Sequence, residues 1–234
     1  MPSFSLNVAD IFYSLQGEGP HAGRPAIFVR FSGCNLRCKW GDSYCDTPYA
    51  SWEPETAMLS LEQLLERVEA IAPECKLVIL TGGEPTLQNH LPEVCQALAE
   101  AGYELHLETN GLGPIPPQID CVVCSPKLAD STPMGTVHQE QHELLRRQLH
   151  PDLRSGDPRL YWKFVITSAS DWDEIQRIVE TAGAPKHHVF LMPEGATRQE
   201  LQKHSEYVAA EAMARGYLFS HRLHILLWDG ARAT

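Results

Sequence analysis

Short apolar runs alternate with amphipathic stretches along almost the whole chain, and this alternation limits the fold more than any other feature of the sequence. Ala26–Phe31 reads as a strand. Ser60, with Gln63 three residues on, has the form of a helix N-cap, and Leu61, Leu64, Leu65, Val68, Ile71 and Ala72 then fall on one helical face. Lys76–Thr81 is short and almost continuously apolar, as a strand covered on both faces would be. The pattern then predicts a helix near His90–Ala101, strands at Glu104–Glu108 and Ile119–Cys124, and a helical stretch near His138–Leu149. A strand at Tyr161–Thr167, a helix at Asp171–Ala182, a strand at His188–Met192, a helix at Arg198–Ala214 and a last strand at Leu223–Trp228 complete it. Alternating strands and helices join by right-handed crossovers into a mostly parallel sheet. Six or seven strands in 234 residues fall short of the eight units of a closed barrel. The expectation is an α/β fold, a partial, open TIM-like barrel of about six parallel strands with covering helices. No repeat or linker divides the chain, and Gly111–Pro117 and Gly156–Pro158 read as loops, so residues 1–234 are expected to form a single domain.

Charge narrows the partners. The formal net charge is −11, and without clustered Lys and Arg the counterion-driven affinity that nucleic acid requires is absent, as is a basic patch for a membrane surface. No apolar run approaches the ~18–20 residues of a spanning helix, and Met1–Asp10 has neither the basic start nor the apolar stretch of a signal peptide. The sequence thus reads as soluble and cytoplasmic. Seven cysteines, an odd number, make a poor disulfide framework there, so metal ligation, catalysis or burial must account for them.

Three of the seven stand together. Cys34, Cys38 and Cys45 lie in a loop that starts at the C-terminal end of strand Ala26–Phe31, where α/β folds place their chemistry. Three thiolates can hold three corners of a [4Fe–4S] cluster and leave the fourth iron open to a substrate or cofactor. Three cysteines plus a remote histidine or cysteine would equally make a closed zinc site. Cys121-Val-Val-Cys124 has metal spacing too, but on a strand the two side chains face opposite sides, and with Cys75 and Cys95 they read as structural. His138 and His142 are one helical turn apart, yet Gln139 stands where a zinc-protease pattern needs glutamate. His187, His188, His221 and His224 have no partner pattern.

The cysteine loop and the blocks around it resemble the radical S-adenosylmethionine (SAM) superfamily, and in particular its 7-carboxy-7-deazaguanine synthase family. The blocks are Phe12–Gly19, Ala26–Phe31, Cys45-Asp46-Thr47, Thr81-Gly82-Gly83-Glu84-Pro85, Glu108–Gly111, Ser125-Pro126-Lys127 and Leu223–Trp228, in that order over nearly the whole chain. The loop departs from the superfamily spacing of two residues between the second and third cysteine. Six intervene here, as if Gly41–Tyr44 had been inserted after Trp40. Lengthening a short loop so costs on the order of 1 kcal/mol in closure entropy, which leaves cluster binding open.

The resemblance implies a lyase that converts 6-carboxy-5,6,7,8-tetrahydropterin to 7-carboxy-7-deazaguanine with loss of ammonia, on the route to queuosine. It implies a [4Fe–4S] cluster on Cys34, Cys38 and Cys45, SAM, and Mg²⁺ held in part by Thr47. SAM would meet Tyr44, Asp46, Gly83 and Glu84, the Ser125-Pro126-Lys127 block, and Met192-Pro193-Glu194-Gly195. The pterin would meet Leu15, Gln16, Gly17, Arg30 and Thr81, with Glu108 and Asn110 as lesser candidates. Arg30 suits this, since a guanidinium in a buried strand matches a carboxylate through two parallel hydrogen bonds. A homodimer and a flavodoxin-type electron donor are also implied. The alternatives are an activase that forms a glycyl radical on a partner protein, and a zinc-stabilised regulatory protein without catalysis.

Overall fold

The computed structural model describes residues 4–154, 156–167 and 172–233. In chain order the elements are β1 (Leu6–Leu15), β2 (Pro25–Phe31), β3 (Lys39–Trp40), β4 (Ser43–Tyr44), β5 (Ala57–Leu59), α1 (Leu61–Ile71), β6 (Leu77–Gly82) and α2 (Leu91–Glu100). Next come β7 (Glu104–Thr109), β8 (Cys121–Cys124), α3 (Gln139–Leu145), β9 (Leu160–Ile166), α4 (Trp172–Ala182), β10 (Val189–Pro193), α5 (Arg198–Arg215), β11 (Leu218–Phe219) and α6 (Leu223–Trp228).

Among the described residues nine strands form one sheet in the order β11-β10-β9-β8-β7-β6-β2-β1-β5. From β2 to β11 every pair is parallel. Successive right-handed crossovers therefore always step the same way, which puts the helices on one side and curls the sheet so that its other side becomes a barrel interior. β5 and β11 end the sheet and do not pair with each other, so the barrel is open. The expected architecture holds, with seven parallel strands and not six.

Side chains sort by strand phase. Along β9, Leu160, Trp162, Phe164 and Ile166 are buried in the apolar layer beneath the helices, whereas Lys163 and Val165 point into the interior. The Ser60 cap of α1 forms as expected: Gln63 N donates to Ser60 Oγ at 3.2 Å, and Ser60 N donates to Gln63 Oε1 at 2.9 Å.

Two expectations require correction, and the longest strand was not among the expectations. β1 carries no expected strand, because its pairing with β2 slips between Val8 and Asp10, so a side-chain alternation that starts at Leu6 does not continue in phase to Ser14. Leu223–Trp228 is a helix and not a strand. A six-residue apolar run fits either state, and here β11 takes the last place in the sheet. The helical stretch His138–Leu149 shrinks to Gln139–Leu145. Of the expected helix Asp171–Ala182, Asp171 lies outside the described residues.

Candidate active site

The interior opens at the C-terminal ends of the parallel strands into a cavity of about 540 Å³. Cys34, Cys38 and Cys45 line it together. The inserted residues explain how a longer spacing still brings the last two cysteines together. Lys39 pairs with Tyr44 and Trp40 with Ser43 in an antiparallel hairpin, and Gly41, at φ +55°, is the first of the two turn residues. The hairpin closes at its base, where Cys45 N donates to Cys38 O at 3.2 Å.

The loop is fixed from several sides. A Cβ on Gly83 would lie 2.2 Å from Gly33 O and 2.4 Å from Ala50 O, so glycine is required there. The backbone that approaches is the cysteine loop itself: Gly83 N donates to Phe31 O, and Glu84 N donates to Gly33 O at 2.8 Å. Asn110 Nδ2 donates to Asn35 Oδ1 at 2.7 Å, and Arg37 N donates to His142 Nδ1 at 3.3 Å.

Burial pushes the Cys34 thiol up to about 12 and the Cys38 thiol well above its usual range. Without a bound cation these thiols are protonated. The three sulfurs are not all within 4.8 Å of one another, as ligands of a single ion would be. Three thiols spread around one cavity fit a polynuclear centre better than a closed zinc site.

The opposite wall is polar and charged. Arg30 projects from β2 between the rings of Phe12 and Tyr49, at 5.5 and 5.9 Å from their centroids. Its Nε is buried without a hydrogen-bond partner among the described residues. A guanidinium in that condition is prepared for an anion. Gln16 Nε2 donates to Glu108 Oε1 at 2.8 Å, and Thr81 stands on the neighbouring strand, in register with Arg30.

Beneath them lies a buried ion network that the motif reading did not single out. Lys163 donates to Glu18 and lies 3.9 Å from Glu108 Oε2. Arg222 donates through Nε to Glu18 Oε1 at 2.8 Å, through Nη1 to Gly195 O at 2.7 Å, and through Nη2 to Asp46. Burial alone would raise the Glu18 carboxyl, but the charges of Lys163 and Arg222 overcome it and hold the group far below the carboxylate range. Burial likewise opposes the charge on Lys163, and Glu108 and Glu18 raise its pKa nonetheless. His224 also lines the cavity, packed so closely on Gly17 that a Cβ there would meet its Nδ1 at 2.0 Å, and burial lowers its pKa. Asp46 and Glu108 were singled out in the sequence for other roles, and Lys163 stands as a lone charge within Leu160–Ile166.

Most residues singled out in the sequence meet at this cavity. Leu15, Gln16, Gly17, Arg30 and Thr81 line it from β1, β2 and β6. Tyr44, Asp46, Thr47 and Gly83 line it beside the cysteines, and Ser125, Lys127 and Met192–Gly195 line it from the ends of β8 and β10. Tyr44 is half exposed, set edge-on against Trp52 with Lys39 over its ring. Burial raises the Glu194 carboxyl. Two residues stand apart. Pro126 does not reach the cavity. Glu84 is fully buried and turned inward: Oε1 accepts from Thr86 N, Thr86 Oγ1 and Thr109 Oγ1, and Oε2 accepts from Asn110 N at 2.7 Å. Its carboxylate ties the end of β6 to the end of β7 and does not line the cavity.

Comparison with known proteins bears on the family and the fold. Residues 28–120 match the model of the radical SAM superfamily. A 7-carboxy-7-deazaguanine synthase of Halobacterium salinarum is 38% identical over 98% of this chain and 93% of its own length. One from Rhodopirellula baltica is 34% identical over 98% of this chain and 89% of its own length. Among solved structures, QueE from Escherichia coli superposes with a TM-score of 0.68 at 23% identity, over 94% of this chain and 95% of that one, a likeness of fold. The chain belongs to the 7-carboxy-7-deazaguanine synthase family of radical SAM proteins.

Proposed function

We propose that the chain is a radical SAM lyase that converts 6-carboxy-5,6,7,8-tetrahydropterin to 7-carboxy-7-deazaguanine and ammonia, in queuosine biosynthesis. The observation that carries this reading is the cavity itself, lined by three thiols and by Arg30, whose buried Nε has no hydrogen-bond partner among the described residues. Family membership brings a [4Fe–4S] cluster and SAM, which together supply one-electron chemistry that takes a hydrogen atom from the substrate and returns one. Cys34, Cys38 and Cys45 would hold the cluster. Tyr44, Asp46, Gly83, Ser125, Lys127 and Met192–Gly195 would hold SAM.

The chain's own groups place the pterin. Arg30 Nε takes one oxygen of its carboxylate, and the adjacent guanidinium nitrogen takes the other. Gln16, Gly17, Leu15 and Thr81 frame the ring, with Glu108 oriented by Gln16. Thr47 and the carboxylate would share a Mg²⁺, a hard cation suited to oxygen ligands with waters completing its shell. Lys163 and Glu18 neutralise each other, so neither charge competes with Arg30 for the substrate.

Residues 1–234 are read as one domain, supported by the single sheet that holds nine strands. A homodimer, a flavodoxin-type electron donor and a cytoplasmic location rest on the family resemblance. No described helix is long and apolar enough to cross a membrane.

The test is anaerobic incubation of cluster-loaded protein with SAM, a reductant, Mg²⁺ and the carboxypterin, followed by mass analysis. Formation of the deazaguanine with SAM regenerated is expected. SAM consumption without the deazaguanine product would favour the activase reading and overturn this one.

A further inference from the structure

At the closed end of the barrel, away from the cysteine loop, His21, His106 and Cys121 come together from three segments. His106 on β7 and Cys121 on β8 are cross-strand partners in register, 3% and 4% exposed. His21 arrives from the β1–β2 loop, its ring 4.4 Å from that of His106 at an interplanar angle of 43°. One ligating atom of each residue lies within 4.8 Å of the others, and no other trio of His, Cys, Asp or Glu among the described residues does this.

We propose that these three residues bind a structural zinc ion that pins the β1–β2 loop to the barrel floor. Two imidazoles and a thiolate are a nitrogen and sulfur set, which selects zinc over the oxygen-seeking Mg²⁺ and Ca²⁺. Bonds of about 2.0 Å to nitrogen and about 2.3 Å to sulfur put tetrahedral ligands roughly 3.5 Å apart, so atoms within 4.8 Å of one another need close by no more than about 1.5 Å. The half-buried His21 can supply most of that movement, because it lies on a short loop segment and not on a strand. A water would complete the fourth position. On binding, the Cys121 S–H bond gives way to a Zn–S bond and its proton leaves to solvent.

A supporting group is also in place. Glu104 Oε1 lies 2.8 Å from His106 Nε2, the carboxylate-to-imidazole contact that orients metal-binding histidines. Glu104 is itself held by Arg24, at 2.8 and 2.7 Å from its two oxygens, so the guanidinium charge is already compensated. The loop so anchored is the one that carries Gln16 and Glu18 into the cavity, and it is closed on itself by Gln16 N to Arg24 O at 2.8 Å and Gly23 N to Gln16 O at 2.7 Å. An ion here would fix the substrate wall from below. The proposal is independent of which reaction the cavity performs.

The test uses cluster-loaded protein, given one equivalent of zinc anaerobically and then desalted. Expected are about one zinc beside about four irons per chain, and zinc-edge X-ray absorption with one sulfur near 2.3 Å and the rest nitrogen or oxygen near 2.0 Å. His21→Ala, in the loop, and Cys121→Ser, a near-isostere, should each lower zinc affinity at least tenfold while the iron content stays unchanged. Failure to retain zinc, retention undiminished in both variants, or a zinc shell with three sulfurs, which places the ion in the cysteine loop, would each overturn the proposal.

Discussion

Arg222 donates through Nε to the carboxylate of Glu18 at 2.8 Å, across 204 residues of sequence, and its other two nitrogens hold Gly195 O and Asp46. One guanidinium thus joins the β1–β2 loop, the end of β10 and the cysteine loop. Removal of one partner from a buried ion pair leaves the other uncompensated, at a cost of about 3–5 kcal/mol. Glu18 keeps Lys163 when Arg222 is removed, so Arg222→Met should lower the unfolding free energy by about 3 kcal/mol, the low end of that range, and Glu18→Gln in the same chain should add less than it costs alone. Additive losses in the double variant would show that the two residues act separately.

Arg30 has the opposite character, since its Nε satisfies nothing in the protein. Arg30→Met should leave the thermal midpoint within a few degrees of the parent. It should cut kcat/KM for the carboxypterin by about 10²–10³-fold, in keeping with the 2–5 kcal/mol lost with one partner of a buried charge pair. A substrate analogue without the carboxylate should bind both forms equally. Unequal binding would remove the carboxylate from Arg30.

Glu84 and Gly83 separate a structural from a ligand-binding role. Glu84→Gln replaces an acceptor of four hydrogen bonds by a group whose amide nitrogen cannot accept, so stability should fall by about 1–3 kcal/mol. SAM affinity, measured by calorimetry on folded protein, should change less than threefold. Gly83→Ala should instead release iron, because its Cβ would collide with the backbone of Gly33 and Ala50.

Acid should weaken the chain through His142. Its ring is buried, accepts from Arg37 N at Nδ1 and lies 3.2 Å from Ser131 Oγ at Nε2, and burial with the nearby Arg146 charge pulls its pKa from 6.5 down to about 4. Between those values the unfolded chain binds a proton that the folded one refuses, so stability present above pH 6.5 is lost as pH falls toward 4. The loss is on the order of 2–3 kcal/mol. Glu18, also held low, adds a further loss once pH falls below 4.5. Denaturation of His142→Gln across this range should show a smaller loss between pH 6.5 and 4, the remainder coming from His21, His106 and His224, whose pKa values burial also lowers.

The strands β2, β6, β8, β9 and β10 were legible because each is a short, mostly apolar run, β7 because Leu105 and Leu107 alternate with polar residues, and the α1 cap because Ser60 and Gln63 form a local box. The cysteine loop was legible because its chemistry lies within twelve residues. β1 was hidden by the slip in its pairing, and α6 by a run too short to show a period. Arg222 and His224 could not be read as cavity residues, since they meet Glu18 and Gly17 only when the chain returns across the open side of the barrel.

The hairpin between Cys38 and Cys45 has a consequence for how such chains are recognised. Its base is closed by one backbone hydrogen bond, while its tip, Gly41 and Asp42, points into solvent. Residues added or removed in pairs at that tip alter the count between the cysteines without moving the hydrogen-bonded base. A search pattern written as a fixed number of intervening residues would pass over this protein, whereas one written for two cysteines flanking a turn would find it. The same tip is a place where a fluorophore or an affinity handle can be grafted a few residues from the metal loop.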